Sequence, residues 1–425
     1  MERISNERFN EIYYLEHLDN GLTVVLFHKP GYQQSFFIMG TPYGANDFKQ
    51  IDDSGLVYEH PLGVAHFLEH KMFEKKNYDV MEAFSQLGAN VNAFTSNTET
   101  AYYFSTMDDP QDPLNLLLDF TQKLEIDEAS VEKEKGIIIQ ELEMYKQRPG
   151  SRIYTESLEN TFAVHPLQYD VGGTPESVKA ITLDDLNECY KLNYHPSRMV
   201  LVGVSGYEPQ ALMDTIKANQ SAKSFEKVKK VKRYEYQEPL AIKKYEHTIS
   251  MDIGTPRCAA IYKLSGNPNI HEVVQHEWAL KIILDCYFTS LNPNYQEWID
   301  REIINDSFSY EIDLGIDYGM IFFTCITEKR EEFYQMLDQQ FKAIKQVDNQ
   351  EIERLKRRYF GKNVRDLDSF EQIAIIFLRS FFMNIDFYES FDVVETLDEQ
   401  SIMDTFKQVD FNNRLKMTIM PSKDK

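Results

Sequence analysis

A helix-turn-strand pattern occurs twice in this chain, and the repeat constrains its fold more than any single element. "TLDDLNECYKLNYHPSRMVLVGV" starts at Thr182 and "TLDEQSIMDTFKQVDFNNRLKMTIM" at Thr396. Each gives a helix, a polar turn with an Arg, then an alternating strand. Leu186, Tyr190, Arg198 and Leu201 stand opposite Ile402, Phe406, Arg414 and Met417, a constant offset of 216 residues. That offset is close to half of the 425 residues. Two copies of one αβ unit are therefore expected. The Lys-rich, apolar-poor stretch "NQSAKSFEKVKKVKRYEYQEP" reads as the joint. It sets an N-terminal domain at 1–218, a linker at 219–239 and a C-terminal domain at 240–425.

Within the first copy, "NGLTVVLFHKPGYQQSFFIM" reads as two strands around a Pro-Gly break, Leu22 to Phe27 and Phe36 to Met39. "NVNAFT" and "TAYYFSTM" form a hairpin around "SNTE". Helices and strands alternate without a regular βαβ rhythm. The expected class is α+β, with a largely antiparallel sheet in each unit and helices packed against it.

"GVAHFLEHKMF", from Gly63 to Phe73, carries the chemistry. At about 100° per residue, His66 and His70 stand about 40° apart, and Glu69 about 60° to the other side of His66. Val64, Phe67, Leu68 and Met72 form an apolar back. Two histidines at i and i+4 can share a metal ion, and a carboxylate beside them can reach a water bound there. The bland alternative is a pair of surface histidines on a helix. "SVEKEKGIIIQELEMYKQ" adds a candidate third ligand. Glu134 and Glu141 fall about 20° apart on one face. They share it with Val131, Ile137, Ile138, Leu142, Met144 and Tyr145, while Glu132 and Glu143 lie opposite. A carboxylate in an apolar stripe needs a metal, a cation or a histidine partner; core salt bridges would serve as well.

"HFLEHKMF", "GANVNAFTSNTETAYYFS", "EKEKGIIIQELEMYKQRPG" and "GGTPESVKAITLDDLNECYKLNYHPSRMVLVGVSG", in that order, resemble the pitrilysin/insulysin family of zinc peptidases. The resemblance is to its short subfamily, which includes the mitochondrial processing peptidase and paired bacterial insulinase-like proteins. It is strong over the first half and weaker over the second. It implies a zinc endopeptidase of short or unfolded peptides, with two units facing each other like a clam-shell around a chamber. One Zn²⁺ per chain would be held by His66, His70 and Glu141. Glu69 would be the general base, and Glu134 the carboxylate that orients a ligating histidine. "NVNAFT" matches the strand that receives substrate main chain, which selects Asn92, Ala93 and Phe94. In the second half the family offers an Arg and, seven residues on, a Tyr toward substrate. Arg301 fits, but Phe308 stands where the Tyr is expected, and Tyr310 is the nearest tyrosine. The resemblance further implies a homodimer, or a heterodimer with a homologue lacking the motif; a non-catalytic or partner-dependent subunit is the other reading.

The second-half "HEVVQH" is a false lead for metal, because His271 and His276 stand about 140° apart on a helix. The formal net charge of -23 opposes binding to nucleic acid and to anionic membranes, and suits basic peptides. The apolar run "IAIIFL" stops at Arg379, too short to span a bilayer, and the charged start "MERISNERFNEIYYLEH" has no apolar core of a signal peptide. Cys189, Cys258, Cys286 and Cys325 make no C-x-x-C pair, so free thiols and a cytoplasmic location are expected.

Overall fold

The computed structural model describes residues 1–422. They form two compact units, each with its own sheet and core. The first comprises Met1–Leu142, Asp170–Tyr234 and Val364–Asn384, and the second Glu143–Tyr169, Glu235–Asn363 and the residues from Ile385 on.

The strands of the first unit are β1 Glu2–Asn6, β2 Glu11–His17, β3 Thr23–His28, β4 Ser35–Thr41, β5 Lys49–Asp52, β6 Val57–Glu59, β7 Ala89–Thr95, β8 Thr100–Thr106, β9 Val200–Ser205 and β10 Val231–Arg233. Seven of them form the main sheet in the order β1-β2-β3-β9-β4-β8-β7. Only β3 and β9 pair in parallel. All six residues of β9, "VLVGVS", are buried, as a central strand covered on both faces requires. β7 ends the sheet and pairs only with β8, from Ala89 opposite Thr106 to Thr95 opposite Thr100.

In the second unit, β11 Glu246–Met251, β12 Arg257–Leu264, β13 Ser309–Leu314, β14 Gly319–Ile326 and β15 Arg414–Pro421 take the order β11-β15-β12-β14-β13. Read from the open end, β13-β14-β12-β15-β11 repeats β7-β8-β4-β9-β3. Three antiparallel pairings are followed by one parallel pairing in both sheets. The α+β class and the repeat are thus realised, and the 216-residue echo falls on the equivalent strands β9 and β15.

The units do not follow a single cut in the sequence. Helix Pro149–Thr161 comes from the first half, yet its Ile153 and Leu158, with Phe162 beyond it, pack with Ala259, Ile261, Leu415 and Met417 of the second unit's sheet. Helix Phe370–Met383 comes from the second half and covers β4 and β9 of the first. There Phe377 sits edge-on to Phe27 and Tyr13. This helix contains the apolar run "IAIIFL"; Ile373, Ala374, Phe377 and Leu378 are buried. Among the described residues no helix is long and apolar enough to cross a membrane. The compact units therefore differ from the 1–218 and 240–425 expected, because each sheet needs a helix on its second face and takes it from the other half. Nor is 219–239 a bare linker. Its β10 pairs with β5, Arg233 forks onto Asp47 with two bonds of 2.9 Å, and Glu238 accepts the backbone N–H groups of Ala163, Val164 and His165.

A Cβ on Gly40 of β4 would lie 2.7 Å from Leu378 Cδ2, so that helix lies hard against the sheet. Leu378→Ala should cost about 2–5 kcal/mol, the usual loss for a fully buried leucine. Hydrogen exchange followed by mass spectrometry should place the loosening in β4 and β9 and spare β12 and β15. The reverse pattern would contradict the assignment of this helix to the first unit.

Candidate metal centre

The motif helix Val64–Met72 starts from Gly63, whose φ of 85° is left-handed. A Cβ there would sit 2.2 Å from the Gly172 carbonyl oxygen, so only glycine allows this entry. Val64, Phe67, Leu68 and Met72 are buried, which turns His66, Glu69 and His70 to the opposite face. Lys71 is also buried, with no exposed side-chain surface, although lysine normally marks a solvated position. Its ammonium pairs with Glu74, lies 3.3 Å from Glu134 Oε2, and donates to the Ser130 carbonyl.

The second helix, Glu128–Lys146, buries Val131, Ile138 and Leu142. Ile137, Met144 and Tyr145 do not join them; they are exposed, at 45%, 43% and 39%. The apolar face is narrower than the wheel suggests, and Glu134 and Glu141 lie along its margin facing the motif helix.

The ligand atoms of His66, His70 and Glu141 lie within 4.8 Å of one another, the one such cluster of three among the described residues. Glu141 Oε2 is 3.6 Å from His70 Nε2 and 4.0 Å from His66 Nε2, too long for hydrogen bonds. Three ligand-capable side chains thus face one another with no hydrogen bond between them. Ligands about 2.0–2.1 Å from a tetrahedral zinc stand roughly 3.3 Å apart, close to this spacing. The donor set fits a divalent cation. His70 Nδ1 donates to Glu134 Oε1 at 3.0 Å, which leaves its Nε2 lone pair toward the cluster. His66 Nδ1 is buried without a partner.

Burial, then the neighbouring His70, pushes the His66 pKa down to about 4, so this imidazole is neutral at pH 7. Burial would lower His70 too, but Glu134 first, with Glu69 and Glu141, together outweigh it and the net direction is upward. Glu69 is raised, first by burial and then by Glu141, against the pull of Thr95 and His70. Its Oε2 accepts from the Thr95 hydroxyl at 2.6 Å. Thr95 closes the edge strand β7, so that strand and the motif carboxylate are tied together. Sequence reasoning passed over Thr95 and Lys71. Thr95 lies one residue beyond the strand residues singled out, and its polarity was the available signal; Lys71 gave none.

Asn92, Ala93 and Phe94 lie on β7 at the open edge. The Ala93 N–H is taken by the adjacent Asn92 side chain at 2.9 Å and not by another strand. Arg379 bonds Glu99 of the β7–β8 turn at 3.0 Å and lies 5.8 Å from the Phe94 ring centre. In the second unit, Arg301 is exposed and pairs with Glu297 on its own helix turn at 3.0 Å. Phe308 stacks on Phe323 and meets Phe333 edge-on. The Tyr310 hydroxyl is committed to Asp285 and receives Lys281 at 2.9 Å. His271 is exposed and bonded to Glu389 at 2.7 Å, apart from any metal cluster.

Residues 53–174 match the family described as Insulinase (Peptidase family M16), and residues 180–359 match the Peptidase M16 inactive domain. The uncharacterised zinc protease YmfH of Bacillus subtilis is 34% identical over 406 residues, 94% of each chain. The mitochondrial-processing peptidase subunit beta of Neurospora crassa is 29% identical over 202 residues, 46% of this chain and 40% of that one. A solved structure described as an M16-like peptidase, from Alicyclobacillus acidocaldarius, superposes with a TM-score of 0.93 at 30% identity, covering 99% of this chain and 100% of that one.

The two histidines should titrate far apart once metal is stripped with a chelator. In nitrogen-15 NMR of histidine-labelled protein, His66 should protonate near pH 4 and His70 above its ordinary value. Below about pH 6.5 the unfolded chain takes up a proton at position 66 that the folded chain refuses until about pH 4. His66 therefore lowers the stability of the metal-free protein as pH falls through that window. An ordinary titration of His66 would contradict the burial on which the site rests.

Proposed function

This chain belongs to the insulinase family of peptidases, and we propose from that premise that it is a zinc endopeptidase acting on short or unfolded peptides. One observation carries the reading: the convergence of His66, His70 and Glu141 within 4.8 Å, with Glu69 beside them on the same helical face. Zinc held by these three residues would supply Lewis acidity, polarising the scissile carbonyl and making a water easier to deprotonate.

The chain's own groups do the rest. Glu69 accepts the proton of the attacking water and passes it to the leaving amine. Its burial moves its pKa toward the working pH, and the Thr95 hydroxyl fixes one carboxylate oxygen so that the other is free for the proton. Glu134 holds the tautomer and orientation of His70, as carboxylates behind ligating histidines do. The edge of β7 offers main-chain groups to an extended peptide, whose carbonyl would replace Asn92 at the Ala93 N–H. Strand addition reads backbone, which suits unfolded substrates, and the formal charge of -23 suits basic ones.

A second reading, an enzyme that works only as a subunit, is favoured by one observation. The family's second-half tyrosine is Phe308 here, half-buried against two aromatic rings, and the nearby Tyr310 hydroxyl is engaged by Asp285. A hydroxyl for the developing oxyanion would come from a partner, either a second copy or a homologue lacking the zinc motif, with Arg301 on this chain's side. The four cysteines form no disulfide, which suits the cytoplasm.

Glu69→Gln separates base from ligands. It should keep about one zinc per chain and still bind peptide, while kcat falls on the order of 10²–10⁴-fold. His66→Ala, His70→Ala and Glu141→Ala should lose the metal, because three protein ligands leave none spare. Metal analysis and fluorogenic-peptide cleavage, alone and with candidate partner chains, read both. A fully active Glu69→Gln protein, or a wild-type chain that takes up no zinc, would overturn the proposal.

A further inference from the structure

The repeat of the two sheets breaks off at one end. β11 stands in the second sheet where β3 stands in the first, parallel to β15 as β3 is to β9. The two registers carry Thr23–His28 onto Glu246–Met251. In the first unit β2 and then β1 continue the sheet beyond β3. In the second, β11 pairs only with β15 among the described residues. The side chains follow this difference. Thr23 to Phe27 are all buried in β3, whereas Glu246, Thr248 and Ser250 of β11 stand exposed.

The backbone of β11 can be phased from its two ends. The Lys416 N–H donates to the Tyr245 carbonyl and the Ser422 N–H to that of Met251, both at 2.9 Å. Backbone groups alternate sides along a strand, so Tyr245, His247, Ile249 and Met251 turn theirs to β15. Glu246, Thr248 and Ser250 turn theirs outward. Nothing in the strand blunts this edge. "EHTISM" has no lysine and no proline, and its pairing with β15 runs from Glu246 to Met251 without a bulge.

The same outward groups select their mate. Two copies of β11 laid antiparallel about a two-fold axis at Thr248 set outward groups against outward groups. Thr248 then exchanges both bonds with the partner's Thr248, and Glu246 with the partner's Ser250. The side chains suit this register. The Glu246 carboxylate meets the hydroxyl of the partner's Ser250, and no like charges stand opposed. Just outside the strand, the exposed Lys244 comes opposite the partner's Asp252. On the other face Tyr245, 63% exposed, comes opposite the partner's Met251, and His247 opposite the partner's Ile249. Each chain has a formal net charge of -23, but that repulsion is screened over about 8 Å at physiological salt, so the local pairing decides.

We propose that two copies of this chain associate through β11, antiparallel about Thr248, and join their second-unit sheets into one continuous sheet. The association uses neither β7 nor β13 and needs no zinc, so its failure would leave the peptidase reading untouched.

Analytical ultracentrifugation of the full chain over about 1–100 μM should show a monomer–dimer equilibrium. Thr248→Pro removes an N–H that faces away from β15. Thr248→Lys, at an exposed position, sets two ammonium groups face to face on the axis and keeps the test decisive should proline disturb the strand. Each should weaken the dimer at least tenfold. Thr248→Cys should cross-link two copies under oxidised glutathione, because opposed residues that exchange both bonds lie about 5.5 Å apart at Cα, within disulfide reach. Ser309→Cys, exposed on β13, should not. A chain that stays monomeric throughout the range would overturn the proposal. So would a dimer indifferent to Thr248→Lys, no cross-link at position 248, or a cross-link at position 309 in its place.

Discussion

A buried lysine ties the two helices of the candidate metal centre together. Lys71 leaves the back of the motif helix, and its ammonium lies 3.3 Å from Glu134, whose other oxygen receives the N–H of His70. A charge without exposed surface must be paired, and removing one partner of a buried pair costs about 3–5 kcal/mol. The pairing therefore fixes the register of the motif helix against the glutamate helix. Glu141, two turns along from Glu134, is set opposite His66 and His70 by the same constraint. Glu134 serves both neighbours at once, and its pKa is held down by His70 and Lys71 against the opposing effect of burial. The Thr95 bond does for Glu69 what Glu134 does for His70. It links the carboxylate to the strand whose edge lies open.

The two units show how one scaffold presents two different sets of side chains. Five strands share order and direction in both sheets. In the first unit, beside edge strand β7, two imidazoles and a carboxylate gather at metal-ligand spacing. In the second, beside edge strand β13, Glu277, Lys281 and Lys362 line a cavity, and Tyr310, Tyr359 and Asp285 form a hydrogen-bonded group there. The scaffold supplies a place, and the side chains decide its use.

Local patterns in the sequence transferred well to the structure. The spacing of His66, Glu69 and His70 and the pairing of Glu134 with Glu141 depend on helix geometry alone. So does the exclusion of a shared site for His271 and His276. The hairpin of β7 and β8 and the echo on β9 and β15 follow from strand alternation and repetition. What was not legible depends on which surface meets which. A wheel puts Ile137, Met144 and Tyr145 on an apolar face, but the width of the partner decides how much of that face is covered. Composition reads Lys71 as solvated. The apolar stripe of Phe370–Met383 announces a buried helix without saying that it belongs to the other half's sheet. Thr95 and Glu69 are 26 residues apart, and only tertiary packing brings them together.

The crossing of helices between the halves has a consequence for synthesis. When residues 1–218 have left the ribosome, β4 and β9 can pair, but the helix that covers them lies some 150 residues further on. At about 5–20 residues per second, that apolar face stays bare for roughly ten to thirty seconds. The second sheet has no such wait, since Pro149–Thr161 is made before any of its strands. The first unit must therefore be sheltered while nascent, and a gene cut at the natural-looking joint would leave each fragment without its own cover and with the other's as a spare.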